Sequence, residues 1–208
     1  MKKFLLSIVA VLFAANSFAQ YGSGGFTLSE SSVYYGVRIG LNLSTLTGDM
    51  ADGLGTKPGL NVGPVVGLRV SQTSPVFLES GLFFSMNGAK DGDYSISLNY
   101  FRLPVLIKYG FQASDEVAIL PFLGPTVALG IGGKQKEPGK GSIDSFGSDA
   151  FSRFDAGIRL GCGVEWNKLY LEGGYEFGIT NIADWKKNAT DDATVHNGNL
   201  FINFGVNF

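Results

Sequence analysis

The sequence predicts an all-β fold, an eight-stranded antiparallel up-and-down transmembrane β-barrel, from three observations. Apolar and polar residues alternate with a period of two in eight separate segments. No Asp, Glu, Lys or Arg falls on the apolar face of any of them. The links between segments alternate short and long. Successive side chains on a strand point to opposite faces, so each segment has one wholly apolar surface. The pattern is plainest in 153–166, RFDAGIRLGCGVEW. Phe154, Ala156, Ile158, Leu160, Cys162, Val164 and Trp166 form one face, and Arg153, Asp155, Gly157, Arg159, Gly161, Gly163 and Glu165 the other. Charges interleaved with glycines suit a narrow polar interior, and the apolar face needs lipid or a core.

The first 19 residues read as a cleaved secretory signal. Lys2 and Lys3 are its charged region, 4–15 its apolar region and Ser17-Phe18-Ala19 its small-x-small cleavage site. That apolar run is too short for a spanning helix, which needs about 20 residues. Residues 20–33 are expected to be a periplasmic N-terminal segment and 34–208 the outer-membrane barrel domain.

Strand one, near 34–44, sets Tyr35, Val37, Ile39, Leu41 and Leu43 against Gly36, Arg38, Gly40 and Asn42. Strand two, near 60–71, sets Val62, Val66, Leu68 and Val70 against Asn61, Gly63, Gly67, Arg69 and Ser71. Strand three, near 76–87, opposes Leu78, Leu82, Phe84 and Met86 to Glu79, Gly81, Ser85 and Asn87. Strand four, near 96–109, opposes Phe101, Leu103, Val105, Ile107 and Tyr109 to Arg102, Pro104 and Lys108. Strand five, near 119–131, opposes Leu123, Pro125, Val127, Leu129 and Ile131 to Gly124, Thr126, Ala128 and Gly130. Strand six is 153–166. Strand seven, near 169–181, opposes Leu171, Tyr175, Phe177 and Ile179 to Glu172, Gly174, Glu176 and Gly178. Strand eight, near 199–208, opposes Leu200, Ile202, Phe204, Val206 and Phe208 to Asn203, Gly205 and Asn207. Each is close to the 9–11 residues that a tilted strand needs to cross a bilayer.

The predicted lumen gathers Arg38, Arg69, Arg102, Lys108, Arg153 and Arg159 with Glu79, Asp155, Glu165, Glu172 and Glu176. Buried charge is tolerable only when paired, so near-neutral content suits a closed interior. Arg102 is expected to pair with Glu79 on the preceding strand. Short links fall near 72–75, 110–116 and 167–168, and longer ones near 45–59, 88–95, 132–150 and 182–198. Bacterial barrels keep short turns on the periplasmic side and long loops outside. An even strand count then puts both termini in the periplasm.

Composition narrows the function classes. The chain has 208 residues, 30 of them Gly and 17 Phe, with 16% charged. Net charge is −2, and removing Lys2 and Lys3 with the leader makes it −4 (−2 minus 2). No basic excess attracts nucleic acid. The lone Cys162 has no partner for a disulfide and sits on the apolar face. The ending LFINFGVNF, with Phe204, Val206 and Phe208 in alternation, resembles the signal read by the barrel assembly machinery.

Four strings resemble the PorT-like outer-membrane β-barrel family of Bacteroidetes. They are Tyr100-Phe101-Arg102-Leu103-Pro104 running on to Ile107-Lys108-Tyr109, and Pro121-Phe122-Leu123-Gly124-Pro125. The others are Phe154-Asp155-Ala156-Gly157 leading to Gly161-Cys162-Gly163-Val164-Glu165, and Tyr175-Glu176-Phe177-Gly178-Ile179-Thr180-Asn181-Ile182. Two positions depart from the family pattern: Arg102 stands where an acid is usual, and Gly174 where Arg is frequent. The resemblance implies an outer-membrane location. It carries no shared activity, although one member is tied to protein secretion.

Catalytic, cofactor and metal sites are not predicted. The single His196 lies near Asp191 and Asp192 in a loop, without the nucleophile and buried acid of a hydrolase triad. Asp91-Gly92-Asp93 reads as a tight turn, and Gly130-Ile131-Gly132-Gly133-Lys134 lacks the phosphate-loop pattern. The basic start of 134–140 is a solvated loop that could touch lipopolysaccharide phosphates. An eight-stranded barrel is just wide enough for side chains to fill. The expected protein is therefore a monomer in contact with outer-membrane lipids and lipopolysaccharide, presenting loops 45–59, 132–150 and 182–198. Its role is structural, adhesive or secretion-accessory. A narrow channel, a membrane-embedded lipid-modifying enzyme using His196, and a soluble lipocalin-like barrel are the alternatives.

Overall fold

The computed structural model describes residues 33–48, 55–71, 73–137, 139–147, 151–183 and 194–208. The expected leader and all but the last residue of the expected N-terminal segment lie outside these. Twelve strand segments form one sheet: β1 (Val33–Thr47), β2 (Gly55–Arg69), β3 (Val76–Gly81), β4 (Phe83–Asp91), β5 (Tyr94–Tyr109), β6 (Phe111–Gln112), β7 (Val117–Gly132), β8 (Lys134–Glu137), β9 (Lys140–Asp144), β10 (Phe154–Trp166), β11 (Leu169–Gly178) and β12 (His196–Asn207).

These segments make eight staves. β3 and β4 are one stave with a break at Leu82 and the same register to β5 on both sides of it. Going round, β1 pairs with β2, β2 with β3 and β4, those with β5, and β5 with β7. β7 pairs with β10, β10 with β11, β11 with β12, and β12 returns to β1. Every pairing is antiparallel. Closure is the solution hydrocarbon imposes, because lipid cannot satisfy the free N–H and C=O groups of a sheet edge.

The apolar faces point outward. Ile39 is 58% exposed, Ile107 60%, Leu123 56% and Ile202 53%, as on a surface built to be wetted by lipid. Cys162 is exposed on that surface. Replacing Leu103, mid-height on the outer face of β5, by arginine is expected to destabilise the barrel by about 2–4 kcal/mol. Urea titration in lipid vesicles measures the loss, and an unchanged midpoint would put that face out of contact with lipid.

The long-loop end differs from expectation. The sequence reads links 45–59 and 88–95 as loops, yet β1 runs on as paired strand to Thr47, β2 begins at Gly55, β4 runs to Asp91 and β5 begins at Tyr94. Residues 91–94 close a tight turn with Gly92 at φ 52°. Loop 132–150 contributes the hairpin β8–β9, which adds onto β5. Polar residues such as Lys90 and Ser95 mask these extensions as loop in the sequence. What holds them is an apolar cluster above the lumen, where Leu46, Ala89, Ile96 and Leu98 pack with Phe146, Phe151, Ile182 and Val195. Loop residues thus form a cap on the barrel mouth.

Candidate functional site

Interior side chains sort into tiers along the barrel axis. Near the short-turn end, Lys108 Nζ lies 2.7 Å from Glu79 Oε1 and 3.8 Å from Glu172 Oε2. It also donates to Tyr170 Oη at 2.8 Å. Arg38 Nη2 stands 3.5 Å from Glu79 Oε2, to which Tyr34 Oη donates at 2.6 Å. The Arg38 guanidinium lies 4.1 Å above the centre of the Tyr170 ring, a cation–π contact in a desolvated place. Asn203 Nδ2 donates to Glu172 Oε1 at 2.8 Å.

A second ionic tier lies toward the loop end. Glu176 binds Arg102 through one oxygen and accepts from Arg159 Nε at 3.0 Å through the other. Asp155 Oδ2 stands 3.6 Å from Arg102 Nη2. The same carboxylate accepts from Asn197 Nδ2 and Thr180 Oγ1, each at 2.9 Å. Between the tiers sits an apolar belt of Leu106, Phe122 and Phe201. Phe122 and Phe201 stack at 6.4 Å, and the Arg159 guanidinium covers Phe201 at 4.4 Å. Ala118, Leu120 and Tyr170 fill the short-turn end.

Interior glycines make room for these rings. Gly161 faces Gly174 across β10 and β11. A Cβ on Gly161 would meet Phe122 Cζ at 2.6 Å, and one on Gly174 would meet Phe201 Cζ at 2.9 Å. The Tyr34 ring likewise covers Gly67, and the Tyr170 ring covers Gly163. Aromatic covering of a strand glycine fills the gap and fixes register.

Of the eleven charged residues assigned to the lumen, nine are buried: Arg38, Glu79, Arg102, Lys108, Asp155, Arg159, Glu165, Glu172 and Glu176. Glu165 accepts from Asn207 Nδ2 at 2.6 Å near the short-turn end. Arg69 is only half-buried at the end of β2, where its Nε donates to Ser71 O at 2.9 Å. Arg153 is a correction. It is exposed at the rim, donating to Gly130 O at 3.1 Å with its guanidinium 5.3 Å from the Phe146 ring centre. It precedes the first residue of β10, so the strand's alternation does not govern it. The Arg102–Glu79 pairing is also corrected. Glu79 lies opposite Leu106 in register, four residues from Arg102, or roughly 13 Å along the strand.

Phe204 and Phe208 face outward and exposed, with Val206 half-exposed between them. His196 places Nδ1 3.0 Å from Thr180 O; Asp191 and Asp192 lie outside the described residues. Among the described residues no cluster of His, Cys, Asp or Glu is arranged to hold a metal. The inward rings, Tyr34, Phe83, Tyr100, Phe122, Tyr170 and Phe201, are what period-two reading of polarity missed. Their signal is parity: each shares its strand face with a charge, an amide or a glycine.

A closed sheet with a lipid-facing apolar exterior and a packed ionic interior defines an integral outer-membrane β-barrel protein. Residues 18–184 match the profile of the outer membrane protein beta-barrel domain family, and the chain belongs to that family. Among solved structures it is similar to Neisserial surface protein A, at 15% identity and TM-score 0.51 over 86% of this chain and 98% of that one. It is also similar to a major outer membrane protein of Thermus thermophilus, at 14% identity and TM-score 0.51 over 86% of this chain and 100% of that one. Both likenesses concern the fold. Comparison with curated proteins gives no match.

Proposed function

We propose that this barrel is a closed scaffold that presents its long loops outside the cell in a structural, adhesive or secretion-accessory role, and conducts no solute. The observation that carries this reading is the stacking of ionic and aromatic tiers beneath an apolar cap. An ion entering such a lumen must shed water in a space that Phe122, Phe201 and the buried ion pairs already fill. Export by the cleaved leader 1–19 and insertion as a monomer by the barrel assembly machinery, with Phe204, Val206 and Phe208 as the terminal signal, belong to the same reading. The secretion-accessory option draws on the PorT-like strings from Tyr100 to Ile182.

Planar bilayers test it. The refolded protein is expected to give no conductance steps above background at 100 mV in about 1 M salt, a setting chosen because Debye screening there is about 3 Å and surface charge cannot hide a pore. Reproducible steps would replace the scaffold by a narrow channel.

A further inference from the structure

The outer wall of the loop-end extension carries a cationic row that no continuous stretch of sequence contains. Lys90 on β4 lies directly opposite Ser95 on β5, and Ser95 directly opposite Lys136 on β8. Residues paired this way project to one side of a sheet. Lys57 of β2 reaches across to the same side, donating to Ser95 Oγ at 3.0 Å, Ser97 Oγ at 2.6 Å and Ile96 O at 2.9 Å. Lys57 thus bonds the same Ser95 that Lys136 faces in register. The neighbouring positions Ala89 and Ile96 point the opposite way, into the buried cap, so the lysine side is the outer one. Lys90 and Lys136 are exposed there.

Among the described residues these three lysines make no ion pair with a carboxylate. Lys57 is bonded to neutral oxygens alone, which hold its position and leave its charge uncompensated. Lys134, two residues from Lys136, stands opposite Asp144 in register. Like charges on adjacent strands repel, so the row costs stability in the absence of an anion.

Its height identifies the anion. Met86, four residues below Lys90 on β4, still belongs to the exposed apolar belt. Four residues span roughly 13 Å of strand, or about 10 Å of height at a tilt near 40°. The polar layer of a bilayer extends roughly 5–8 Å beyond the hydrocarbon, and lysine stems reach downward along apolar surface into it. The row also faces sideways, continuing the lipid-facing wall, rather than upward toward an approaching protein.

We infer that Lys57, Lys90 and Lys136 form a binding site for the phosphate groups of a phosphorylated glycolipid in the outer leaflet. The inference rests on the reading that the long-loop end faces outward. It gives the loop end an anchor that sets barrel depth and orders the surrounding lipid.

The test uses the full refolded chain in detergent and native mass spectrometry with diphosphoryl lipid A or its dephosphorylated form. The K57Q/K90Q/K136Q variant is expected to hold diphosphoryl lipid A about a hundredfold more weakly than the unmodified protein, at about fivefold per lysine. Both proteins should hold the dephosphorylated form equally. A triple variant with undiminished affinity would overturn the site. So would displacement of the lipid by an equal concentration of inorganic pyrophosphate, which would make the row a general anion patch. If the triple variant loses its heat-modifiable gel shift, K90Q/K136Q is used, because it keeps the Lys57 bonds; about 25-fold weakening is expected, and none overturns the site. Orientation is read separately, by labelling a Ser142→Cys variant on intact cells with an impermeant thiol reagent. Labelling without lipid A binding sinks this inference alone, whereas absent labelling sinks the orientation.

Discussion

Replacing Glu176 by alanine is expected to destabilise the folded barrel by about 3–5 kcal/mol. Glu176 is the carboxylate shared by Arg102 and Arg159, both buried. Its removal leaves two guanidiniums with only Asp155, 3.6 Å from Arg102, to offset them. Surface ion pairs are worth under about 1 kcal/mol, so the magnitude distinguishes a dry interior from a wet one. Urea titration in detergent, followed by the heat-modifiable gel shift, gives the measurement. A loss below about 1 kcal/mol would mean water screens the tier.

Truncating Phe201 to alanine is expected to cost a similar amount, about 3–5 kcal/mol. Phe201 is 2% exposed, stacked on Phe122 and covered by Arg159, and its loss leaves a void bounded by a rigid closed sheet. Leu123→Ala is the internal comparison. Leu123 is 56% exposed on the outer face, where acyl chains flow into the space vacated. Since lipid tails are as apolar as leucine, that substitution is expected to cost well under half as much. Equal losses at the two positions would contradict the separation of lumen and lipid faces.

Glu176 and Phe201 also mark how far the sequence can be read. Glu176 stands out because it is a charge on the glycine-rich face of a strand whose other face is apolar. Phe201 does not, because an aromatic on the polar side of a strand has the same hydropathy as one facing lipid. Only its parity with Asn199 and Asn203, which are buried with it, reveals the direction. The glycines carry the complementary signal. Gly161 and Gly174 read as spacers in a row of charges, and they are the floor on which Phe122 and Phe201 lie.

The extended loop end shows a different limit. Strand pairing above the hydrocarbon needs no lipid-facing alternation, so 88–95 carries no period-two pattern to read. Its stability comes from contacts distant in the chain, with Phe146, Phe151, Ile182 and Val195 packing onto Ala89 and Ile96. The cationic row is hidden for the same reason, since Lys57, Lys90 and Lys136 meet only through cross-strand register.

What the sequence alone determined is everything set by local periodicity. Side-chain direction on a strand depends on a residue's immediate neighbours, so the eight staves, the lipid face, Cys162 on that face and most of the buried charges are readable directly. Everything set by stagger between strands had to come from the folded sheet. Register determines whether Glu79 meets Arg102 or Lys108 and where the aromatic belt separates the two ionic tiers, and the point where β10 begins leaves Arg153 at the rim. A shift of one strand by two residues would preserve every face and change every pairing.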